Sequence, residues 1–187
     1  MSLVKVNSAA MPNSLPSKTP QDNCSRAEQK PTHTLIWLWL SLLVVILDQL
    51  SKVWINTHFP FNQPVGVLPF FDLRLLYNTG AAWSILATAG GWQRWFLSGL
   101  AIVISLLIII WLSRLTQQQR WLAVALALIL GGAIGNLIDR IIYGHVIDFI
   151  DIYYQQWHWP AFNLADSAIS IGAVMLLIEA LLSNPQR

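Results

Sequence analysis

Four long apolar runs constrain this chain more than any other feature: roughly 35–57, 93–113, 120–142 and 163–183. Each reaches the ~20 residues that a helix needs to cross the hydrocarbon of a bilayer. The runs are continuous, which argues against the alternating pattern of a membrane β-barrel. Composition agrees, with 55% hydrophobic and only 11% charged residues among 187. Soluble domains carry roughly 25% charged residues. The expected class is a membrane all-α protein with a small β element.

The ends read differently. Residues 1–34 are rich in Ser, Pro, Asn, Gln and Lys without periodicity and are expected to be a disordered tail. The first apolar run is too long for a signal-peptide core and no small-residue cleavage site follows it, so it is expected to stay as an anchor. Cys24 is the one cysteine, without a partner for an internal disulfide. Its "DNCS" context lacks the small residues of a lipidation site and reads as an incidental thiol.

Positive charge sets the expected orientation. Lys5, Lys18, Arg26, Lys30, Arg114, Arg120 and Arg187 fall on one side, while Lys52, Arg74, Arg94 and Arg140 fall toward the other. The first group marks the cytoplasmic side, with both termini and the short end 184–187 there.

The outer connections hold the informative residues. The first, about 58–92, opens with "HFPFNQPVGVLPFF", whose prolines exclude a helix. In "FFDLRLLYN" (70–78), Phe71, Leu73, Leu75 and Tyr77 alternate with Asp72, Arg74 and Leu76, the pattern of a strand. "NTGAA" follows as a turn pivoting on Gly80, and "WSILATAGGW" (83–92) as a short interfacial helix. The second connection, 143–162, is rich in Tyr and Trp that suit the headgroup region.

Ionisable groups within apolar spans are costly and are functional candidates by default. Asp48 and Lys52 share one helix face at i, i+4. They form either a structural ion pair or the support of a site. Gly131 and Gly135 favour close helix packing. Asn136, Asp139 and Arg140 form one polar stripe at i, i+3 and i+4. A solvated helix end explains one of them, and a polar pocket explains all three.

Asp148 lies between Val146, Ile147, Phe149 and Ile150, so its carboxyl is expected against an apolar surface, with Asp151 left wet. Asp166 heads the fourth run, where Asn163 caps the helix and an acid at its third position is stabilised by free N–H groups. Taken together, Asp148 and Asp166 can share one proton, because close like charges do not both ionise readily. Such a pair can activate a water and protonate a leaving amine. Other chemistries are poorly supplied. His33, His58, His145 and His158 are scattered without ligand spacing, no Ser-His pairing is evident, and Cys24 is on the wrong side. A small transporter or channel remains the alternative class. Against it, the charges gather at one end of the spans and no internal repeat is visible.

The motifs "DQLSK", "NTGAAWS", "GGAIGNLIDRI", "GHVIDFID" and "FNLADSAI" stand in the order and spacing of the lipoprotein signal peptidases (signal peptidase II), which this chain resembles over about residues 35–183. Trp83 departs from the usual Phe. The resemblance implies an aspartic endopeptidase of the bacterial inner membrane, with four helices and a periplasmic β-cradle over about 58–92. It would cut prolipoproteins before a diacylglyceryl-modified cysteine and would be the target of globomycin. It makes Asp148 and Asp166 catalytic. It has Asn78, Asn136, Arg140 and Asn163 line the site, and gives Asp48, Lys52, Gly80 and Asp139 supporting roles. No metal, cofactor or nucleic-acid partner is implied. Oligomeric state is open, with a monomer as the working expectation. Cleavage is therefore expected to be unaffected by EDTA. Loss of activity in the chelator, restored by a divalent ion, would revive a metal mechanism.

Overall fold

The computed structural model describes residues 34–80 and 90–182. Most of the tail, Trp83 and nearly all of the expected interfacial helix lie outside the described residues. Four helices form where the apolar runs stand: α1 (Leu38–His58), α2 (Trp92–Arg114), α3 (Arg120–Ile142) and α4 (Leu164–Leu182). All four are long and apolar enough to cross a membrane. A 3-10 turn, Thr34–Trp37, leads into α1.

The outward faces suit a lipid solvent. Leu42, Leu43, Ile46, Leu47 and Leu50 of α1 are exposed, as are Val103, Leu106, Leu107 and Ile110 of α2. Exposed Trp39, Trp111 and Trp121 mark one end of the helices, and exposed Trp54, Trp92 and Trp95 the other. These are the two headgroup levels where amphipathic indoles settle.

Helix α3 is the central element, packed on α1, α2 and α4. Small residues permit this. A Cβ on Gly131 would lie 2.7 Å from Val44 Cβ and 2.8 Å from the Ser41 carbonyl of α1. A Cβ on Gly135 would lie 2.6 Å from the Asp48 carboxylate. Gly132, which the spacing argument passed over, faces α4, where a Cβ would collide with the Ala165 carbonyl oxygen. Ser41 Oγ also donates to the Ala127 carbonyl (2.8 Å).

At one end of the bundle lies a four-stranded antiparallel sheet, in the order β1 (Val65–Leu68), β2 (Phe71–Asn78), β3 (Val146–Tyr154), β4 (Trp157–His158). The expected strand over 70–78 is β2. Strand β3 was not expected, because the second connection reads as an aromatic loop. Its residues Val146–Phe149 are buried in succession, so both faces are covered and no alternation shows. Leu73 pairs with Ile150 and Leu76 with Asp148, leaving Arg74 and Leu75 opposite Phe149 alone. This bulge directs Leu75 inward, against Ile55, Ile147 and Phe149. That cluster seats the sheet on the end of α1.

Gly132→Ala is expected to destabilise the protein, because the obstacle is backbone and α4 must move. Overpacking costs about 1–3 kcal/mol, or roughly 2–10 °C in the melting temperature of the detergent-solubilised protein. An unchanged melting curve would show that the α3–α4 seam is looser than described.

Candidate functional site

The sheet brings Asp148 of β3 over the first turn of α4, which carries Asp166. Asn163 joins them. Its Oδ1 accepts from the Asp166 N–H (2.9 Å) and Asp166 Oδ2 accepts from the Asn163 N–H (3.3 Å), a reciprocal cap at the head of α4. The same side chain donates through Nδ2 to Asp148 Oδ1 (2.7 Å). One asparagine therefore holds both carboxyl groups, and capping does not compete with a role for Asp166.

Each carboxyl has a second amide donor. Asn78 Nδ2 donates to Asp148 Oδ2 (3.0 Å), and Asn136 Nδ2 to Asp166 Oδ1 (2.8 Å). Asn78 Oδ1 accepts from the Gly80 N–H (2.9 Å), closing the turn after β2. Arg140 Nη2 donates to the Gly80 carbonyl (3.2 Å) and Nη1 to the Asn136 carbonyl (3.3 Å). The guanidinium thus ties that turn to α3.

Beneath lies a second, dry layer. Lys52 donates to Asp48 Oδ2 (2.8 Å), to Asp139 Oδ2 (2.9 Å) and to Asn136 Oδ1 (2.9 Å). Lys52 is 1% exposed, and Asp48 and Asp139 are 0% exposed. Gln49, unremarked in the sequence, donates to both of these aspartates. Asp48 Oδ1 accepts from the Ala165 N–H (2.9 Å) and Asp139 Oδ2 from the Ile147 N–H (3.1 Å).

Burial pushes the Asp148 carboxyl up to about 7, and the charge of neighbouring Asp166 adds to the effect. The donors Asn78 and Asn163 and the more distant Lys52 oppose the rise. Near neutral pH, Asp148 is thus poised to hold or release a proton. The site opens into an apolar cavity of about 500 Å³ with Asn136, Arg140, Phe162, Asp166, Ile169 and Ile171 in its walls. Ile171 is itself exposed on the lipid-facing surface. A more polar cavity of about 450 Å³ adjoins Asp148 over the sheet.

Asp151 is a correction. Read as wet, it is 2% exposed, with His158 Nδ1 at 2.9 Å and Arg74 Nη1 at 3.5 Å. Arg74 is in turn held by Asn62 Oδ1 (2.6 and 2.9 Å). Spacing gave no sign of this cluster, because its members come from β2, β3, β4 and a loop. The sequence candidates Asp148, Asp166, Asn78, Asn136, Arg140, Asn163 and Gly80 do meet in one hydrogen-bonded group, with Asp166 in the wall of the apolar cavity, Asp148 in that of the polar one, and Asp48, Lys52 and Asp139 directly behind them.

Fold and site together define a multi-pass membrane protein with a carboxyl pair gathered beneath a small sheet at one end of its helices. Residues 40–182 match the family model described as signal peptidase (SPase) II. The chain is 54% identical over 155 residues to a lipoprotein signal peptidase of Acinetobacter baumannii, covering 83% of this chain and 88% of that one. It is 54% identical over 147 residues to one from Pseudomonas putida, covering 78% and 86%. A solved bacterial membrane enzyme superposes with a TM-score of 0.73 at 33% identity, over 81% of this chain and 92% of that one. The chain belongs to the signal peptidase II family and is a membrane peptidase.

The raised Asp148 carboxyl makes a stability prediction. Its folded value of about 7 lies above the usual carboxylate value of 3.8. The folded state therefore binds more protons between those limits, and stability declines as pH rises through the window. Asp148→Asn has no charge to desolvate. Its melting temperature is expected to gain on that of the unsubstituted protein from pH 4 to 7, by about 5 °C or more, and then level off. A constant difference across that range would contradict the buried, proton-holding Asp148.

Proposed function

We propose that this chain is an aspartic endopeptidase that removes the signal peptide from diacylglyceryl-modified prolipoproteins, cutting on the N-terminal side of the lipidated cysteine. The observation that carries the reading is the carboxyl pair bridged by Asn163, one member desolvated, with Asp166 in the wall of the apolar cavity and Asp148 in that of the polar cavity beside it. The relatives' name, lipoprotein signal peptidase, supplies the substrate class.

Asp166, in the first turn of α4 and bonded to the Asn163 N–H, serves as the base. It draws a proton from water as the oxygen attacks the scissile carbonyl carbon. Protonated Asp148 gives its proton to the carbonyl oxygen. The C–N bond then breaks as the nitrogen takes the proton from Asp166, and the intermediate's hydroxyl proton returns to Asp148. The pair ends with one proton, as it began. Asn78, Asn136, Asn163 and Arg140 hold the carboxyls and the turn at Gly80, and present polar contacts to the substrate backbone. The acyl chains lie in the apolar cavity, which brings the scissile bond to the membrane edge.

By this reading the protein is placed in the bacterial inner membrane, with both termini cytoplasmic and the sheet on the periplasmic face. By the same reading, globomycin is its inhibitor.

The test is cleavage of a diacylglyceryl-modified lipopeptide by the purified protein, beside the same peptide with an unmodified cysteine. Only the lipidated peptide is expected to be cut. Asp148→Asn and Asp166→Asn should each lower turnover by about 10³-fold or more while the protein still inserts and folds. Normal turnover by either variant would overturn the dyad.

A further inference from the structure

Lys52 touches neither Asp148 nor Asp166, yet every contact it makes leads to one of them. We propose that Lys52 is a positioning residue of the dyad, which fixes the direction of the Asn136 amide and, through Asp48 and Asp139, the placement of both carboxyl-bearing segments. The proposal rests on the dyad reading above.

The first line of argument is donor geometry. An ammonium has three protons and no lone pair. All three have partners, in Asp48, Asp139 and Asn136. The Asn136 atom facing Lys52 must therefore be its oxygen, which turns Nδ2 toward Asp166 Oδ1 at 2.8 Å. Without the ammonium, an amide is free to turn over, since its two ends are nearly equal in size. Asn163 Nδ2 is the other donor to Asn136 Oδ1, but at 3.3 Å, and it is shared with Asp148 at 2.7 Å and the Ile147 carbonyl at 3.3 Å. Lys52 is the stronger lock.

The second line is the pair of carboxylates. One would neutralise a buried lysine, and here there are two. Asp48 grips the N–H of Ala165, the residue before Asp166, and Asp139 grips the N–H of Ile147, the residue before Asp148. Lys52 draws these two carboxylates together across α1 and α3. The spacing between α4's first turn and β3 is thereby held from behind. The charged groups facing Asp166 are Arg140 of α3 and Asp148 of β3, and those facing Lys52 are Asp48 of its own helix and Asp139 of α3, with Asp148 of β3 farther off.

A residue needed only as counter-charge becomes dispensable once its partners are neutral. Lys52→Met/Asp48→Asn/Asp139→Asn removes all three charges and leaves side-chain carbonyls for the Ala165 and Ile147 amides. If Lys52 positions the dyad, this variant folds but its kcat on the lipopeptide falls at least about tenfold, with KM within about threefold. The acid limb of its kcat/KM profile moves up by about one pH unit, because Asn136 is free to present an acceptor to Asp166. Normal kcat and an unmoved profile would overturn the proposal. Asn136→Leu, which removes no charge, guards against a triple variant that fails to insert. It should show the same movement of the acid limb, and an unmoved limb would refute the proposal by itself. Asp148→Asn and Asp166→Asn are measured in the same assay. Cleavage by those variants would defeat the dyad, whereas their inactivity beside a normal triple variant would defeat only the role of Lys52.

Discussion

The ammonium of Lys52, sealed among helices, is the interaction on which the rest of the structure leans. Burying an isolated charge costs several kcal/mol, and removing one partner of a buried pair costs roughly 3–5 kcal/mol. Here the cost is met by three acceptors on two helices, with Gln49 and the Ala165 and Ile147 amides completing the carboxylates. Such a network tolerates little displacement, because each missing contact strands a charge where no water reaches. It joins α1, α3, the head of α4 and the start of β3 at one depth. The site is assembled just above it.

The bilayer explains why polarity is distributed this way. Lipid offers no hydrogen bonds, so the apolar side chains face outward and the polar ones inward, without the hydrophobic drive that closes a soluble core. Helix association then depends on close packing and internal polar contacts. Gly131, Gly132 and Gly135 provide the first, and the Lys52 cluster the second. The sheet covers the end of the bundle and desolvates Asp148, while the lipid side stays open through the apolar cavity. A carboxyl poised near neutral pH beside a charged neighbour is the arrangement that acid–base chemistry on an amide requires.

Much of this was legible from short-range pattern. The spans needed only long apolar runs, the Asp48–Lys52 pair only i, i+4 spacing, and the Asn163 cap only its place before Asp166. Strand β3 was not legible, because burial on both faces erases the alternation that marks a strand. Asp151 looked wet because its partners Arg74 and His158 lie on other strands. Gly132 was passed over because the spacing argument took in only Gly131 and Gly135; it faces α4, while they face α1.

Local sequence by itself determined the four membrane-crossing helices, the strand over 70–78 and the residue types the site would need. Those follow from periodicity and solvent preference, which act within a few turns of chain. Only the tertiary structure decided that Asn163 spans both carboxyls, that Lys52 faces Asp139 as well as Asp48, and that Asp148 lies on a strand paired with β2. These depend on distances between segments far apart in sequence. Close packing across α3 and pairing of β2 with β3 set those distances, and no local pattern encodes them.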